Sequence, residues 1–302
     1  MDLKHVAVLF AAGAFAGAIN SVAGGGTLLT FPALLWTNML ATAANATSTL
    51  ALLPGAMTSL WGYRKEVGTN YSTILKFMIP SLIGGVVGAS LLLSTPPEVF
   101  RRLVPYLIFA ATLLFVFQEP LSRYLRKKAE EARVEAASLE IVSSSYQSEF
   151  AVVTLPEETV ASVPAVGSTL IPVAEPPEED SFTLGAWVGA ILFQFLVAVY
   201  GGYFGAGAGI LMLAAFGLMG FRNIHRMNGL KNINALCINV IASLMFIAHG
   251  LIKWDFFFVM AAGAGLGGYA GSGIAKKIGQ KNVRRLVILI GFSLTLAMLI
   301  KS

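Results

Sequence analysis

Apolar runs of about 20 residues, each long enough to cross a bilayer, recur along this chain and constrain its fold more than any other feature. Only 12% of its 302 residues are charged, against roughly 25% in soluble domains. Backbone polar groups inside a bilayer must bond to one another, so repeated apolar runs of this length form helices. The sequence therefore predicts an all-α polytopic membrane protein.

The apolar runs form two sets with the same layout, separated by a polar interruption. The first set comprises 6–23, 27–40, 43–63, 71–93 and 103–117, and the second comprises 182–200, 209–220, 233–252, 256–274 and 286–300. We predict a first transmembrane repeat over 1–118, a linker over 119–181 and a second transmembrane repeat over 182–302.

The two halves also align with each other when the sequence is shifted by 183 residues. The shift matches glycine with glycine, asparagine with asparagine and one Arg-Arg-Leu run with another: Gly24 with Gly207, Gly26 with Gly209, Asn45 with Asn228, and 101–103 with 284–286. Two repeats in one membrane chain indicate a transporter whose substrate site lies where the repeats meet.

In each half a glycine-rich break, at Gly24 to Gly26 and at Gly205 to Gly209, separates a long apolar run from a short one. If both runs form a hairpin that enters and leaves on one side, fourteen basic residues lie on one face and five on the other. Full crossing by every run divides them about evenly. The positive-inside rule therefore favours two inverted repeats, each a glycine-broken helical hairpin plus three transmembrane helices. It also predicts the cytoplasmic membrane as the location, with the linker cytoplasmic.

The linker carries most of the negative charge. Twelve of the sixteen acidic residues fall between Glu119 and Asp180. The stretch RYLRKKAEEARVEAA favours an extension of the preceding helix, and the sequence from Ser143 onward lacks apolar periodicity, which predicts a disordered tether. The membrane portion keeps sixteen basic against four acidic side chains. That balance favours attraction of anions, although interfacial anchoring explains most of these basic residues individually.

Consecutive glycines at membrane depth break helices and expose backbone N–H groups, which must be buried in protein or face a wet cavity. The short helices after the two breaks would then point their positive N-terminal ends at one anion site. Close packing of small residues is the alternative. The predicted substrate-binding residues are Asn20, Ser21, Gly24, Gly25, Gly26, Thr27, Asn45, Ser48, Gly205, Gly207, Gly209, Asn228, Lys231 and Asn232.

Lys231 is the candidate for neutralising a bound anion, because by sequence it is the basic residue that lies furthest inside the membrane region. A lysine at that depth is costly and usually faces a cavity or a partner. At helical spacing, Asn228, Lys231 and Asn232 share roughly one face. The alternative is that the helix starts early and Lys231 extends to the interface. Ser48 takes the position of Lys231 in the first repeat.

No catalytic, metal or cofactor motif is present. The apolar part contains no Asp or Glu, so a buried carboxylate relay for protons or sodium is ruled out, and the P-loop, GxSxG and HExxH patterns are missing. The single cysteine, Cys237, cannot form a disulfide or a thiolate cluster within the chain. We expect no enzyme activity, no cofactor, no metal and no nucleic-acid partner; the partners are the bilayer and a small anion, and a homodimer stays open.

The chain resembles the sulfite exporter TauE/SafE family. The resemblance rests on AGAINSVAGGGTLLTFPALL, on YGGYFGAGAGILML and on NGLKN at Asn228 to Asn232, and covers nearly the whole chain apart from the linker. Here the second glycine motif reads GAGAG instead of a glycine triplet, and the linker is longer than the family pattern implies. The resemblance implies export of sulfite, sulfoacetate or a related anion across the plasma membrane.

The leading hypothesis is a secondary exporter of a small sulfur-containing anion that works by alternating access. Backbone donors, Asn and Thr side chains and one lysine suit a small oxyanion but do not separate it from a carboxylate. Two alternatives stay open. One is an anion channel of the same fold, and the other is a membrane scaffold or assembly factor whose linker recruits a partner.

Overall fold

The computed structural model describes residues 2–22, 24–63, 71–114, 184–219, 221 and 224–278, and in addition scattered positions within 116–138 and 288–300. Every regular element in these residues is an α-helix. Three of the helices are long and apolar enough to cross a membrane, over Leu3–Ser21, Ser72–Ser94 and Arg226–Ala248. Residues 139–181, the larger part of the predicted linker, lie outside the described residues. The prediction of an all-α protein with apolar spans is confirmed.

The first half contains α1 (Leu3–Val22), α2 (Thr27–Leu35), α3 (Ala41–Ala51), α4 (Leu53–Tyr63), α5 (Tyr71–Ser94) and α6 (97–114). The second half contains α7 (Leu184–Tyr203), α8 (Ala208–Leu218), α9 (Ile224–Ala248) and α10 (Trp254–Ile278). The described positions between 288 and 300 are also helical. Both glycine breaks fall between a long helix and a short one, α1 and α2 in the first half and α7 and α8 in the second.

Several helix boundaries differ from the sequence prediction: the run over 43–63 divides into α3 and α4, α6 begins at 97 and not at 103, and two further differences bear on the site. The second apolar run was expected to reach Leu40, but α2 ends at Leu35 and a turn follows, with Asn38 at φ 58°. The run expected to begin at Ile233 begins at Ile224, so its polar residues lie within α9 and not ahead of it. The reason is that these polar side chains are buried against other helices, which stabilises the helix ahead of the apolar stretch.

The two halves pack reciprocally. The most extensive helix contact among the described residues joins α1 to α10, and the next joins α5 to α7. In the alignment shifted by 183 residues, α1 corresponds to α7 and α5 corresponds to α10. The contact of α1 with α10 therefore corresponds to the contact of α7 with α5. The contacts of α4 with α10 and of α9 with α5 correspond in the same way. The first helix of each half therefore packs on the other half.

Glycines make these reciprocal contacts close. A methyl group at Gly267 would meet the carbonyl oxygen of Ala14, and one at Gly88 would meet the carbonyl oxygen of Val199. Small residues let membrane helices approach to backbone contact, which replaces the hydrophobic driving force that lipid does not supply. The glycine-rich composition is thus used twice, in helix packing and in the two breaks.

The outer surface is apolar and the interior contains polar groups, as expected for a protein in lipid. Exposed positions include Ile79, Ile83, Leu192 and Leu196. Inside, Phe31 and Phe204 pack edge to face with ring centroids 5.3 Å apart, joining α2 to the second break. Such pairs contribute about 0.5–1.5 kcal/mol beyond area burial. This contact helps to hold the two breaks side by side.

Candidate functional site

The two glycine breaks meet inside the protein. A methyl group placed on Gly24 would lie 3.3 Å from the α-carbon of Gly209, and one placed on Gly209 would lie 3.4 Å from the α-carbon of Gly24. Gly24 also has φ +81°, a conformation that side-chain-bearing residues rarely adopt. The backbone conformation therefore favours glycine at position 24, and a methyl group at either position would crowd the contact between the breaks.

Two helix N-termini start beside this contact. α2 begins at Thr27 with Gly26 as its N-cap, and α8 begins at Ala208 with Gly207 as its N-cap. The first turn of a helix has backbone N–H groups without helical partners and carries about half a positive charge. The breaks thus bring together two positively polarised helix ends, one from each half.

A cavity of about 60 Å³ lies between the breaks. Its walls come from both halves and combine glycines, polar side chains and apolar side chains. The polar residues are Asn20, Thr27, Thr49, Lys231, Asn232 and Asn239, and the glycines are Gly24, Gly25, Gly201, Gly205 and Gly209. No acidic residue is among the lining residues, so the formal charge of the wall comes from one ammonium group.

That ammonium belongs to Lys231, which is 2% exposed. Its Nζ donates a hydrogen bond of 3.2 Å to the backbone oxygen of Asn20 in the other half. The Cδ of Lys231 would lie 3.3 Å from a methyl group on Gly209, so the side chain runs alongside the second break. The alternative interpretation was that α9 starts early and Lys231 extends to the interface. Helix α9 does start early, but the Lys231 side chain is buried and forms part of the cavity wall.

Asn20 joins the first break to Lys231. Its side-chain Oδ1 accepts a hydrogen bond of 2.8 Å from the backbone N–H of Gly26, at the start of α2. The same residue accepts from Lys231 through its backbone oxygen. A methyl group on Gly26 would lie 2.7 Å from the oxygen of Ala16 and 2.9 Å from the Asn20 amide. Gly26 must therefore lack a side chain for this contact to form.

The structure brings eight of the fourteen predicted site residues to the cavity wall, namely Asn20, Gly24, Gly25, Thr27, Gly205, Gly209, Lys231 and Asn232. Gly26 and Gly207 stand directly behind it as the N-caps of α2 and α8. Ser21, Asn45, Ser48 and Asn228 are buried but do not line it. Their role as ligands stays a prediction.

Three of the four buried residues outside the wall, Ser21, Asn45 and Ser48, have hydrogen bonds that account for part of their polar groups. Ser21 donates to the backbone oxygen of Ala18 at 2.7 Å, and Ser48 shares a 2.6 Å hydrogen bond with Thr30. Asn45 donates through Nδ2 to the backbone oxygen of Tyr203 at 3.0 Å. Tyr203 corresponds to Asn20 in the repeat alignment. At the end of each first helix, a carbonyl is thus held by a side chain from the other half.

Two polar wall residues were missed by the sequence analysis, Thr49 and Asn239. A signal for each existed. Thr49 is the repeat counterpart of Asn232, and Asn239 lies two helical turns after Asn232 on the same face of α9. Applying the repeat shift to every proposed residue, and following the α9 face further, would have found both.

These features define a class of protein. Helices broken at membrane depth, with their ends converging on a buried polar cavity between two reciprocally packed halves, are typical of membrane transporters. Within the described residues no group of three or more His, Cys, Asp and Glu side chains is arranged to hold a metal ion.

The chain belongs to the family described as sulfite exporter TauE/SafE, whose family model matches residues 9–298. It is 26% identical to a probable membrane transporter protein of Haemophilus influenzae, over 99% of this chain and 96% of that protein. It is also 26% identical to the probable membrane transporter protein ORF9 of a Sinorhizobium species, over 97% and 92% of the two chains, and to the probable membrane transporter protein YfcA of Escherichia coli K12, over 94% and 85%. No solved structure matches this chain.

Proposed function

We propose that this protein is a secondary transporter that exports a small sulfur-containing anion, such as sulfite, sulfoacetate or a related organosulfonate, across the cytoplasmic membrane. The observation that carries the proposal is the buried Lys231 ammonium, which lies on a polar cavity between two glycine breaks. A charged lysine at the centre of a membrane helix costs about 2.5–3.5 kcal/mol on insertion scales. A bound anion would offset that cost.

The geometry of the cavity favours a small oxyanion. A water molecule needs about 10–15 Å³ of cavity volume, so about 60 Å³ holds several waters or one small anion. Backbone N–H groups, the Asn232 amide, the Thr27 hydroxyl and the Lys231 ammonium would donate to several oxygens at once. Charge-assisted hydrogen bonds of this kind are roughly twice as strong as neutral ones. The family name adds the expectation of a sulfur-containing anion.

Alternating access is supported by the reciprocal packing of the halves. In our proposal the halves are inverted repeats, each with a glycine-broken hairpin and three crossings, and the cavity opens to either side as one half rocks against the other. Helix α1 packs on α10, and their repeat counterparts α7 and α5 pack on each other. A twofold axis between the halves produces such matching contacts. The linker at 119–181 would then be cytoplasmic.

Export of an anion does not require a coupled cation. A membrane potential that is negative inside contributes about 2.3 kcal/mol per elementary charge per 100 mV to the outward movement of an anion. The absence of acidic residues from the described cavity wall fits a mechanism without a carboxylate relay. The same feature favours the second candidate, an anion channel of this fold.

Flux into proteoliposomes that contain the purified full chain separates these candidates. We expect saturable uptake of labelled sulfite, inhibition by sulfoacetate more than by acetate, and acceleration when unlabelled sulfite is present on the opposite side. Saturable flux without such counterflow would favour the channel. Folded protein that moves none of these anions would contradict the proposed substrate class and favour the scaffold alternative.

A further inference from the structure

Asn20 occupies hydrogen-bond donors that a bound anion would use. Its side-chain oxygen accepts a hydrogen bond of 2.8 Å from the N–H of Gly26, at the positive end of α2. Its backbone oxygen accepts a hydrogen bond of 3.2 Å from the ammonium of Lys231. Asn20 is only half-buried and lines the cavity. One residue thus satisfies a donor from each half of the protein.

We propose that Asn20 is an internal stand-in for the transported anion, holding the two halves together when the site is empty and releasing its donors when an anion arrives. The inference rests on the proposed function, because it identifies the anion site with this cavity. It adds a gating residue to that site. The entering anion takes over Lys231 and the Gly26 N–H, and the tie between the halves passes from Asn20 to the anion.

The Lys231 bond depends on the glycine break. In a continuing helix the N–H of Gly24 would bond to the backbone oxygen of Asn20; here it goes to the oxygen of Ile19, at 3.3 Å. The Asn20 oxygen therefore lies at the negative end of α1 without that helical donor, which makes it a good acceptor for an ammonium. The break creates the acceptor, and Lys231 from the other half uses it.

A neutral amide suits a stand-in that has to be displaced. The side-chain oxygen of Asn20 bonds to the Gly26 N–H, and its backbone oxygen bonds to the Lys231 ammonium. Both acceptors are neutral, so their bonds are weaker than those of a free anion and the anion can replace them. A carboxylate at position 20 would carry a full charge and would be present at a high effective concentration, so a dissolved anion would compete poorly with it. The hydrogen bonds of Asn20 are thus strong enough to hold the empty site closed and weak enough for an anion to replace them.

The second half repeats only the backbone part of this device: the oxygen of Tyr203, the residue that corresponds to Asn20, accepts from Asn45 of the first half. The Tyr203 side chain has no amide for the N–H of Gly209, and its hydroxyl lies 3.4 Å from the Thr95 hydroxyl. The glycine that corresponds to Gly26 is Gly209, beside Lys231. A stand-in on one break and a lysine beside the other make the site asymmetric. The two elements therefore depend on each other across the interface between the halves.

The test uses Asn20→Asp in the wild-type and Lys231→Met backgrounds, with thermal unfolding of the purified full chain in detergent as the first readout. This readout needs no substrate. We expect Asn20→Asp to raise the Tm when Lys231 is present and to lower it in the Lys231→Met background. Asn38→Asp makes the same change at an exposed position outside the cavity and should give the same small shift in both backgrounds. Additive effects of Asn20→Asp and Lys231→Met would overturn the inference.

The second readout is the sulfite concentration that gives half of the maximal rise in Tm. We expect Asn20→Asp to raise that concentration about tenfold or more, a shift of about 1.4 kcal/mol, and Asn20→Ala to lower it. A wild-type value in Asn20→Asp would overturn the stand-in while the proposed function stands. Coupling between positions 20 and 231 in a protein that responds to no tested anion would support the stand-in and contradict the proposed substrate class. If Asn20→Asp does not fold, Asn20→Ala decides, and an unchanged or raised concentration overturns the inference.

Discussion

Gly24 and Gly209 lie 185 residues apart in sequence, yet their α-carbons are so close that a methyl group on Gly24 would lie 3.3 Å from Gly209. The contact joins the two glycine breaks, and the Lys231 side chain runs along it. Everything proposed for the cavity depends on this approach, because it sets how near the N-termini of α2 and α8 come to each other.

Gly24→Ala tests that approach. The new methyl group would press on Gly209, and an L-residue at φ +81° is strained by roughly 1–2 kcal/mol. We expect anion flux in proteoliposomes to fall strongly, with a smaller fall in Tm. Gly189→Ala is the matched control, because Gly189 lies in α7 with no atom within 4 Å of a new methyl group. Equal flux in the two variants would contradict a role for the contact.

Gly84→Ala and Gly267→Ala test the reciprocal packing, because the two glycines are repeat counterparts. A methyl group on Gly84 would lie 2.6 Å from the Cβ of Ala198, and one on Gly267 would meet the oxygen of Ala14. Overpacking of this kind costs about 1–3 kcal/mol. We expect both variants to lose similar amounts of unfolding free energy, while Gly185→Ala, with open space around it, loses little. A loss in only one of the pair would argue against equivalent contacts.

The inverted arrangement predicts that repeat counterparts lie on opposite sides of the membrane. Glu98 and Lys281 are such counterparts, although Lys281 lies outside the described residues. In a Cys237→Ala background, Glu98→Cys should react with an impermeant maleimide added to intact cells. Lys281→Cys should react only after permeabilisation. Labelling of both from the same side would indicate parallel repeats.

Ser81→Ala tests a buried polar contact whose repeat counterpart has no polar side chains. Ser81 accepts from Gln194 Nε2 at 2.8 Å, and its one hydroxyl proton is shared between the backbone oxygen of Phe77, at 2.7 Å, and Asn234 Oδ1, at 3.2 Å. These contacts join α5, α9 and α7. Hydrogen bonds between membrane helices contribute about 0.6 kcal/mol each on average, so we expect a loss of about 1 kcal/mol in unfolding free energy. Ser94→Ala removes only a bond within α5 and serves as control.

That polar contact could not be predicted from the sequence repeat. The counterparts of Ser81, Asn234 and Gln194 are Ala264, Ala51 and Ala11, so the repeat comparison carries no sign of a polar cluster here. Such a cluster depends on how three helices from two halves meet, which neither spacing nor composition encodes.

The convergence of the glycine breaks, by contrast, was predictable. Breaks at membrane depth need a protein or water environment, and two repeats bring them to one interface. The direction of Lys231 was not decidable from α9 alone, because a lysine near a helix start reaches water or protein depending on the neighbouring helices. Its contact with the Asn20 oxygen depends in turn on the φ of +81° at Gly24, which is a local conformation that the sequence permits but does not dictate.

The most direct test of the account is sulfite flux through Lys231→Met compared with Lys253→Met, both as folded full-length protein in proteoliposomes. Lys231 is buried on the cavity wall, whereas the side chain of Lys253 is exposed. We expect saturable flux that is lost in Lys231→Met and retained in Lys253→Met. Flux that persists at the wild-type level in Lys231→Met would contradict the claim that this ammonium neutralises the transported anion.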